Sequence, residues 1–337
     1  MNQALTIPIA ATHRLAVLIP CLNEAAAIGS VVRQFRRVLP HASVHVYDNG
    51  STDGTAEIAR EAGAIVQVEP RRGKGNVVRR MFADIDADLY VLIDGDDTYD
   101  VEAIPGMIDT LIQGRLDMVT GKRVASTPLA YRAWHDLGNR AFTQAIGRMF
   151  GSGCDDVFSG LRVMTRRLVK SFPALAKGFE IETDLTVHAL ALRMAIADVP
   201  VTYSDRPAGS ESKLRTYRDG LRIALRLQSL LRAEKPLVFF GAMGALACTV
   251  ATLLAIPLLE TYLETGFVPR FPTAILSTGL MLAGFISLAV GIILQSLARF
   301  RHETLRLNYL SLPEPPVWRD AAPLAGRAGS RAWEATP

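Results

Sequence analysis

The sequence is short of cysteine, of net charge and of the common nucleotide-binding and hydrolase motifs, and each shortage excludes a class of protein. Its 337 residues hold three cysteines, Cys21, Cys154 and Cys248, far apart and odd in number. They form no disulfide framework and supply no Cys-x-x-Cys pair for zinc. A net charge of +4 is too small to imply nucleic-acid binding, so no nucleic-acid partner is expected. Gly73-Lys74-Gly75 lacks the upstream glycine spacing of a Walker A loop and the Ser or Thr after its lysine. No Gly-x-Gly-x-x-Gly follows the first apolar run, which excludes the common dinucleotide fingerprint, and no Gly-x-Ser-x-Gly elbow marks an α/β-hydrolase. The absence of low-complexity sequence ahead of the C-terminal region excludes a mainly disordered chain.

What is present is apolar: 49% of the residues are hydrophobic and the mean hydropathy is +0.20. Much of that comes from two uncharged runs, 236–259 and 271–298. Each is long enough as a helix, at about 1.5 Å per residue, to cross a hydrocarbon core of about 30 Å. Too little chain remains to bury both as the hairpin of a soluble domain, so two spans are expected. Lys235 and the arginines before it precede the first span, and Arg299, Arg301 and Arg306 follow the second. The connecting loop, 260–270, carries two acids and one base, so both ends of the chain are expected in the cytoplasm, at an inner membrane in a bacterium. No basic n-region leads into an apolar core at the N-terminus, so the region before the spans is expected to stay cytoplasmic.

This reading divides the chain into an extension (1–13), a cytoplasmic domain (14–213), a basic helix (214–235), a span (236–259), an outer loop (260–270), a second span (271–298) and a tail (299–337). The tail, rich in Pro, Ala, Gly and Arg from Pro313 onward, is expected to be largely disordered. In the basic helix Arg215, Arg218, Arg222 and Arg226 recur at spacings of three and four. That stripe is either a solvated face or a surface resting on anionic membrane lipid. Gly279, Gly284 and Gly291 are candidate close-packing positions in the second span, and small residues there would permit a homo-oligomer.

Along the large domain, short apolar runs alternate with helical patterns. Strands are predicted at 14–20, 44–47, 64–68 and 89–93, with helices between them, the first carrying Ile28, Val31, Val32 and Phe35. Such alternation predicts an α/β fold with a mostly parallel sheet, in which ligands bind beyond the carboxyl ends of the strands. Asn23 and Glu24, Asp48 to Asp53, and Asp94 to Asp97 all fall at those ends.

Asp-x-Asp by itself carries little, since Asp84/Asp86 and Asp86/Asp88 also fit it. Asp94/Asp96 differs by following a buried strand directly, where clustered carboxylates repel unless a cation compensates them. A divalent ion completed by phosphate oxygens would meet that need, and a turn cap is the simpler alternative. Glu180 and Glu182 either face a substrate or favour a helix N-terminus. Lys74 either meets a diphosphate or lies in a solvated loop. The segment 131–150, with Trp134, Leu137, Phe142, Ile146 and Phe150, is either an interfacial helix or core.

Ile19-Pro20-Cys21-Leu22-Asn23-Glu24, the octet Asp48 to Thr55 and Asp94-Gly95-Asp96 together resemble the signature of family 2 glycosyltransferases, whose fold is GT-A, a Rossmann-like sheet. Ser159-Gly160-Leu161-Arg162 and the string from Asp205 to Leu214 resemble a narrower branch, the polyprenyl-phosphate glycosyltransferases such as dolichyl-phosphate mannose synthases and their bacterial two-span relatives. The resemblance covers residues 14–214, and in the bacterial relatives it extends to the paired spans. Asn49 departs from it, since many relatives carry an aspartate there. The Gln-x-x-Arg-Trp of processive synthases is missing, which disfavours polymerisation.

The resemblance implies an inverting transfer of one sugar from a nucleotide-sugar donor to polyprenyl (undecaprenyl) phosphate, with Mg²⁺ or Mn²⁺ held by Asp96 and Asp94 nearby. It places Pro20, Asn23, Glu24, Asp48, Lys74 and Asp94 around the donor. Arg123, Ser159, Arg162, Arg206, Ser212 and Lys213 fall around the acceptor phosphate. Asp94, Asp96, Arg206 and Lys213 are expected to carry catalysis, and Asp53 to cap the helix that follows it. Transfer to a lipid hydroxyl such as diacylglycerol, or a non-catalytic membrane scaffold on the same fold, are the competing readings.

Overall fold

A computed structural model describes residues 13–125, 133–150, 154–204 and 228–319, with side chains in the helix at 133–150 described from residue 142. Its first strand, β1 (Leu15–Cys21), is buried throughout, as a strand flanked on both sides must be. Helix α1 (Ala25–Val38) turns Ile28, Val31, Val32 and Phe35 inward and ends on Arg36 and Arg37, cations suited to a helix C-terminus. β2 (Ser43–Asp48), α2 (Thr55–Glu61), β3 (Ile65–Val68), α3 (Lys74–Asp84) and β4 (Leu89–Leu92) follow in strict alternation. The third strand begins one residue later than predicted and lies at the sheet edge, where Ile65 and Val68 are exposed. Next come α4 (Ile104–Gln113), β5 (Met118–Ala125), α5 (Ala133–Phe150), β6 (Arg162–Thr165), α6 (Arg166–Ser171), α7 (Ile181–Ala191) and β7 (Ile196–Tyr203).

The described strands form one seven-stranded sheet in the order β3-β2-β1-β4-β6-β5-β7. β1 pairs parallel with β2 and β4, and β5 with β7; β6 runs antiparallel to both its neighbours. The sheet is therefore mostly parallel, as the alternation predicts. Parallel registers such as Cys21 against Asp48 bring the ends of β1 and β2 level, so their loops emerge on the same rim. Asp86, one of the decoy carboxylates, lies before β4 instead. It pairs with Arg14 at 3.2 Å and Arg166 at 2.7 Å, at the end of β4 opposite to the one that Asp94 follows. In α5, Phe142 and Ile146 are buried and the Phe142 ring lies 4.9 Å from that of Phe158, so this half of the segment is core; Trp134 and Leu137 lie outside the described side chains.

The chain forms two compact units, one from the described residues up to 204 together with 308–319, the other from 228–307. The second unit holds α8 (Pro236–Thr265) and most of α9 (Phe271–Ser311), both long and apolar enough to cross a membrane, with mean hydropathies of 2.1 and 2.2 in their most apolar windows. Little of either window is covered by protein, unlike a core helix. Their backbones meet where small residues allow it: a Cβ on Gly284 would lie 2.4 Å from Cys248 Sγ, and one on Gly244 only 2.7 Å from the Gly284 carbonyl. Gly291 faces Phe240 in the same way, whereas Gly279 has open space beside it and makes no close contact with the other helix. Ser277 and Ser287 donate to the carbonyls of Ala251 and Phe240, both at 2.9 Å. Just before α8, buried Glu234 takes hydrogen bonds from Arg301 and His302. Of the expected basic helix only 228–235 lies within the described residues, and 228–234 is helical.

The expected tail needs correction in its first part. α9 continues to Ser311, and Asn308 onward belongs to the first unit. There the Tyr309 hydroxyl donates to buried Asp117 at 3.0 Å, Arg167 stacks on the Tyr309 ring and donates to the Leu312 carbonyl, and Val317 and Trp318 enter the hydrophobic core. Residues rich in proline can be ordered when they bring apolar side chains to a waiting core, and Val317 is fully buried.

Candidate active site

The rim at the carboxyl ends of β1, β2 and β4 is built by strained and tightly tied backbone. Asn23 and Asp97 adopt left-handed φ angles of 53° and 56°, costly for residues other than glycine and tolerated best by Asn and Asp. Asn23 is locked to the next loop: its N–H donates to Ser51 Oγ at 2.8 Å, and its Oδ1 accepts from Thr52 N at 2.9 Å. Glu24 N donates to Thr55 Oγ1, and Asp53 accepts from Ala25 N and Thr55 N, tying the starts of α1 and α2 together. Those bonds outweigh burial and hold the Asp53 carboxyl below its usual range. Asp48, 5% exposed, accepts from Gly50 N and Ser51 N and so shapes its own turn, while Pro20 sits in β1 opposite Tyr47. The Cys21 thiol reports how closely these groups converge. Burial raises its pKa far above normal, and the charges of Glu24, Asp48, Asp94 and Asp96 all add to the shift. A thiol so placed is neutral and no nucleophile.

Asn49 organises the loop that leads into α3. Its Nδ2 donates to the carbonyls of Glu69 and Arg71, both at 2.8 Å, and its Oδ1 accepts from Gly73 N at 2.7 Å. Gly73, at φ 121°, presses against the Lys177 carbonyl, where a Cβ would come within 2.2 Å. That contact delivers Lys74 to the start of α3 as a buried cation. Lys74 Nζ donates to both Asp94 Oδ1 and Glu182 Oε1, with the Lys74 and Glu182 side chains 9% and 7% exposed. Burial alone would lower the Lys74 pKa, but the two carboxylates overcome it and the pKa is raised, so the ammonium persists. Burial pushes the Glu182 carboxyl up against the pull of Lys74. The solvated-loop reading of Lys74 is therefore corrected, and Glu182 faces the rim cluster. Glu180 instead accepts from Lys177 N and Gly178 N and serves its own turn.

A second wall carries Asp94. A Cβ on Gly160 would lie 2.2 Å from Asp94 Oδ2, so only glycine leaves room for that carboxylate. Gly160 N donates to Tyr99 Oη at 2.9 Å, and Ser159, fully buried, donates to the Gly121 carbonyl at 2.6 Å. Arg162 is also fully buried. Its guanidinium donates to the carbonyls of Ser159, Val157 and Glu182 and to Thr186 Oγ1. Ser159 and Arg162 thus hold β6 to α7 and fix the backbone of Glu182; neither presents itself to an acceptor phosphate, which corrects that expectation. Arg123, 29% exposed at its side chain, forms a bidentate pair with Asp156 and lies over the Tyr203 ring. Arg206, Ser212 and Lys213 lie outside the described residues.

The donor set suits a hard divalent cation in part. Asp96, 4% exposed, accepts from Thr98 Oγ1 at 2.7 Å, and Asp94 stands two residues away with Oδ1 taken by Lys74. Among the described residues no three His, Cys, Asp or Glu side chains are placed to hold a metal by themselves. Two carboxylates at a strand end, with the shell left for ligand oxygens, fit an ion bound together with a phosphorylated ligand.

Residues 16–172 match the family model described as glycosyl transferase family 2. Glycosyltransferase AglJ of Haloferax volcanii is 37% identical over 248 residues, 73% of this chain and 80% of that protein. The dolichyl-phosphate hexose transferase of the same organism is 29% identical over 221 residues, 66% of this chain and 95% of that protein. Among solved structures, glucosyl-3-phosphoglycerate synthase from Mycobacterium tuberculosis, in complex with Mn²⁺, UDP and glucosyl-3-phosphoglycerate, superposes with a TM-score of 0.54 at 24% identity. That match covers 67% of this chain and 81% of that one, and it shows a common fold.

Proposed function

We propose that this chain, which belongs to glycosyl transferase family 2, transfers one sugar from a nucleotide-diphosphate donor to a polyprenyl phosphate at the cytoplasmic face of a membrane. The observation that carries the reading is the buried Lys74, clamped between Asp94 and Glu182 on the rim beside Asp96. A carboxylate acting as general base must be free to take a proton, and Glu182 is held by a persistent ammonium. An acceptor hydroxyl would need such a base. A phosphate monoester is already an anion and needs only to be positioned against the anomeric carbon. The name of the dolichyl-phosphate hexose transferase supports the same class of acceptor.

In this account Asp48, Asn23, Glu24 and Pro20 shape the nucleoside end of the donor site. Lys74 neutralises Asp94 and keeps the donor pocket's charge tolerable to a diphosphate. A divalent ion, Mg²⁺ or Mn²⁺, held by Asp96 with Asp94 nearby, would supply Lewis-acid stabilisation of the leaving nucleoside diphosphate. Arg206 and Lys213, with Ser212, are assigned to the acceptor phosphate, and Arg123 joins them if it exchanges Asp156 for the ligand. The two apolar helices hold the enzyme where its lipid acceptor resides. The cationic flanks of both spans support a cytoplasmic position for the catalytic unit and for both ends of the chain.

The test is a transfer assay on membranes containing the protein, with undecaprenyl phosphate, Mg²⁺ or Mn²⁺ and a panel of labelled UDP- and GDP-sugars. Label should move into an organic-extractable, acid-labile lipid with one donor. Asp96→Ala should abolish it, a loss of about 10³-fold or more if metal stabilisation of the leaving group is removed. Transfer to diacylglycerol but not to the phosphate would sink the reading, as would full activity in Asp96→Ala.

A further inference from the structure

The segment after α6 combines rigid anchoring with exposed apolar side chains. From Phe172 to Phe179 burial alternates: Phe172, Ala174 and Ala176 point inward, while Pro173, Leu175, Lys177 and Phe179 point outward. The backbone has little freedom. Ala174 adopts a left-handed φ of 47°, and the Ala176 and Lys177 carbonyls lie where Cβ atoms on Gly75 and Gly73 would stand, 2.3 and 2.2 Å away. Glu180 accepts from the N–H groups of Lys177 and Gly178. Yet Leu175 is 76% exposed and Phe179 59% exposed, large apolar surfaces that a soluble face gains nothing by fixing in water. The Phe179 ring centroid lies 5.9 Å from Lys74 Nζ, so this edge borders the candidate active site.

We propose that Leu175 and Phe179 receive the first isoprene units of the acceptor lipid, with Lys177 between them meeting its phosphate. The inference rests on the polyprenyl-phosphate reading above and adds a subsite to it. An outward row of apolar, cationic and apolar side chains complements an anionic headgroup joined to a hydrocarbon chain. Its contact with Lys74 keeps that chain within a few atoms of the point of transfer, as the chemistry of a prenyl phosphate requires. A diphosphate and a divalent ion have no use for two exposed hydrocarbon side chains, and an aliphatic side chain such as Leu175 offers no stacking face to a base.

The experiment compares wild type with Leu175→Ala/Phe179→Ala, using farnesyl phosphate in detergent and undecaprenyl phosphate in liposomes as acceptors. The account predicts that the variant's acceptor KM rises about tenfold or more with both, because hydrocarbon contact is lost. Its donor KM and thermal unfolding midpoint should stay at wild-type values. An unchanged KM for farnesyl phosphate overturns the proposal. A defect seen only with liposomes also overturns it and makes the segment a bilayer contact. If wild type itself transfers sugar to neither prenyl phosphate, the functional reading fails first and the subsite falls with it; the wild-type arm separates the two failures.

Discussion

Asn49 shows at a single position why an amide and a carboxylate are not interchangeable. Asn49 donates twice to backbone carbonyls and accepts once from Gly73 N, a pattern that an ionised aspartate has no hydrogens to reproduce. From sequence alone the residue is only a departure from relatives with aspartate there, and nothing in its neighbours reveals the carbonyls it serves twenty residues on. Asn49→Asp should leave both carbonyls without a donor and add a charge to a site 3% exposed, costing about 2–4 kcal/mol of stability. The same change loosens the loop that delivers Lys74, so the donor KM should rise along with the loss of thermal stability. An unchanged melting temperature and donor KM would show that the loop is held by other contacts. Gly160 belongs to the same class: its motif is legible, but the reason for its missing side chain is Asp94, 66 positions earlier in the sequence. Arg162 reads as a phosphate ligand because arginine so often is one, and only its burial among carbonyls reveals a structural cation.

At the scale of elements, the strands and helices before residue 93 follow from periodicity, because each strand is a short apolar run closed by a polar cluster. β6 is different. Its four residues, Arg162–Thr165, carry a buried arginine and no apolar run, so neither its presence nor its antiparallel direction is legible. The same limit hides the return of the chain after the second span, since Pro315-Pro316-Val317-Trp318 reads as tail until a core is found for its two apolar side chains. Trp318 tests that docking. Trp318 is 8% exposed and its Nε1 has no hydrogen-bond partner among the described residues, so the stabilisation comes from hydrocarbon contact. Trp318→Ala should lower stability by about 3–5 kcal/mol, whereas Trp318→Phe, which removes the unsatisfied donor, should cost at most about 1.5 kcal/mol. Chemical denaturation of the detergent-solubilised full chain measures both. Equal losses in the two variants would mean that the indole nitrogen has a partner in solution.

On the scale of the whole molecule, one chain carries a mostly parallel α/β unit of family 2 and a pair of helices able to cross a membrane, and residues on both sides of that pair complete the first unit. An excised domain ending before the spans would lack Tyr309, Val317 and Trp318, so measurements belong on the full chain. The central claim is that the rim joins an activated sugar to a lipid phosphate without moving a second phosphate. Mass spectrometry of the organic-extracted product tests it most directly. With undecaprenyl phosphate and the productive donor, the account predicts a lipid heavier by one glycosyl residue, still bearing a single phosphorus, and release of the nucleoside diphosphate. A product carrying two phosphorus atoms and the nucleoside monophosphate would contradict it, because the chain would then be transferring a sugar phosphate.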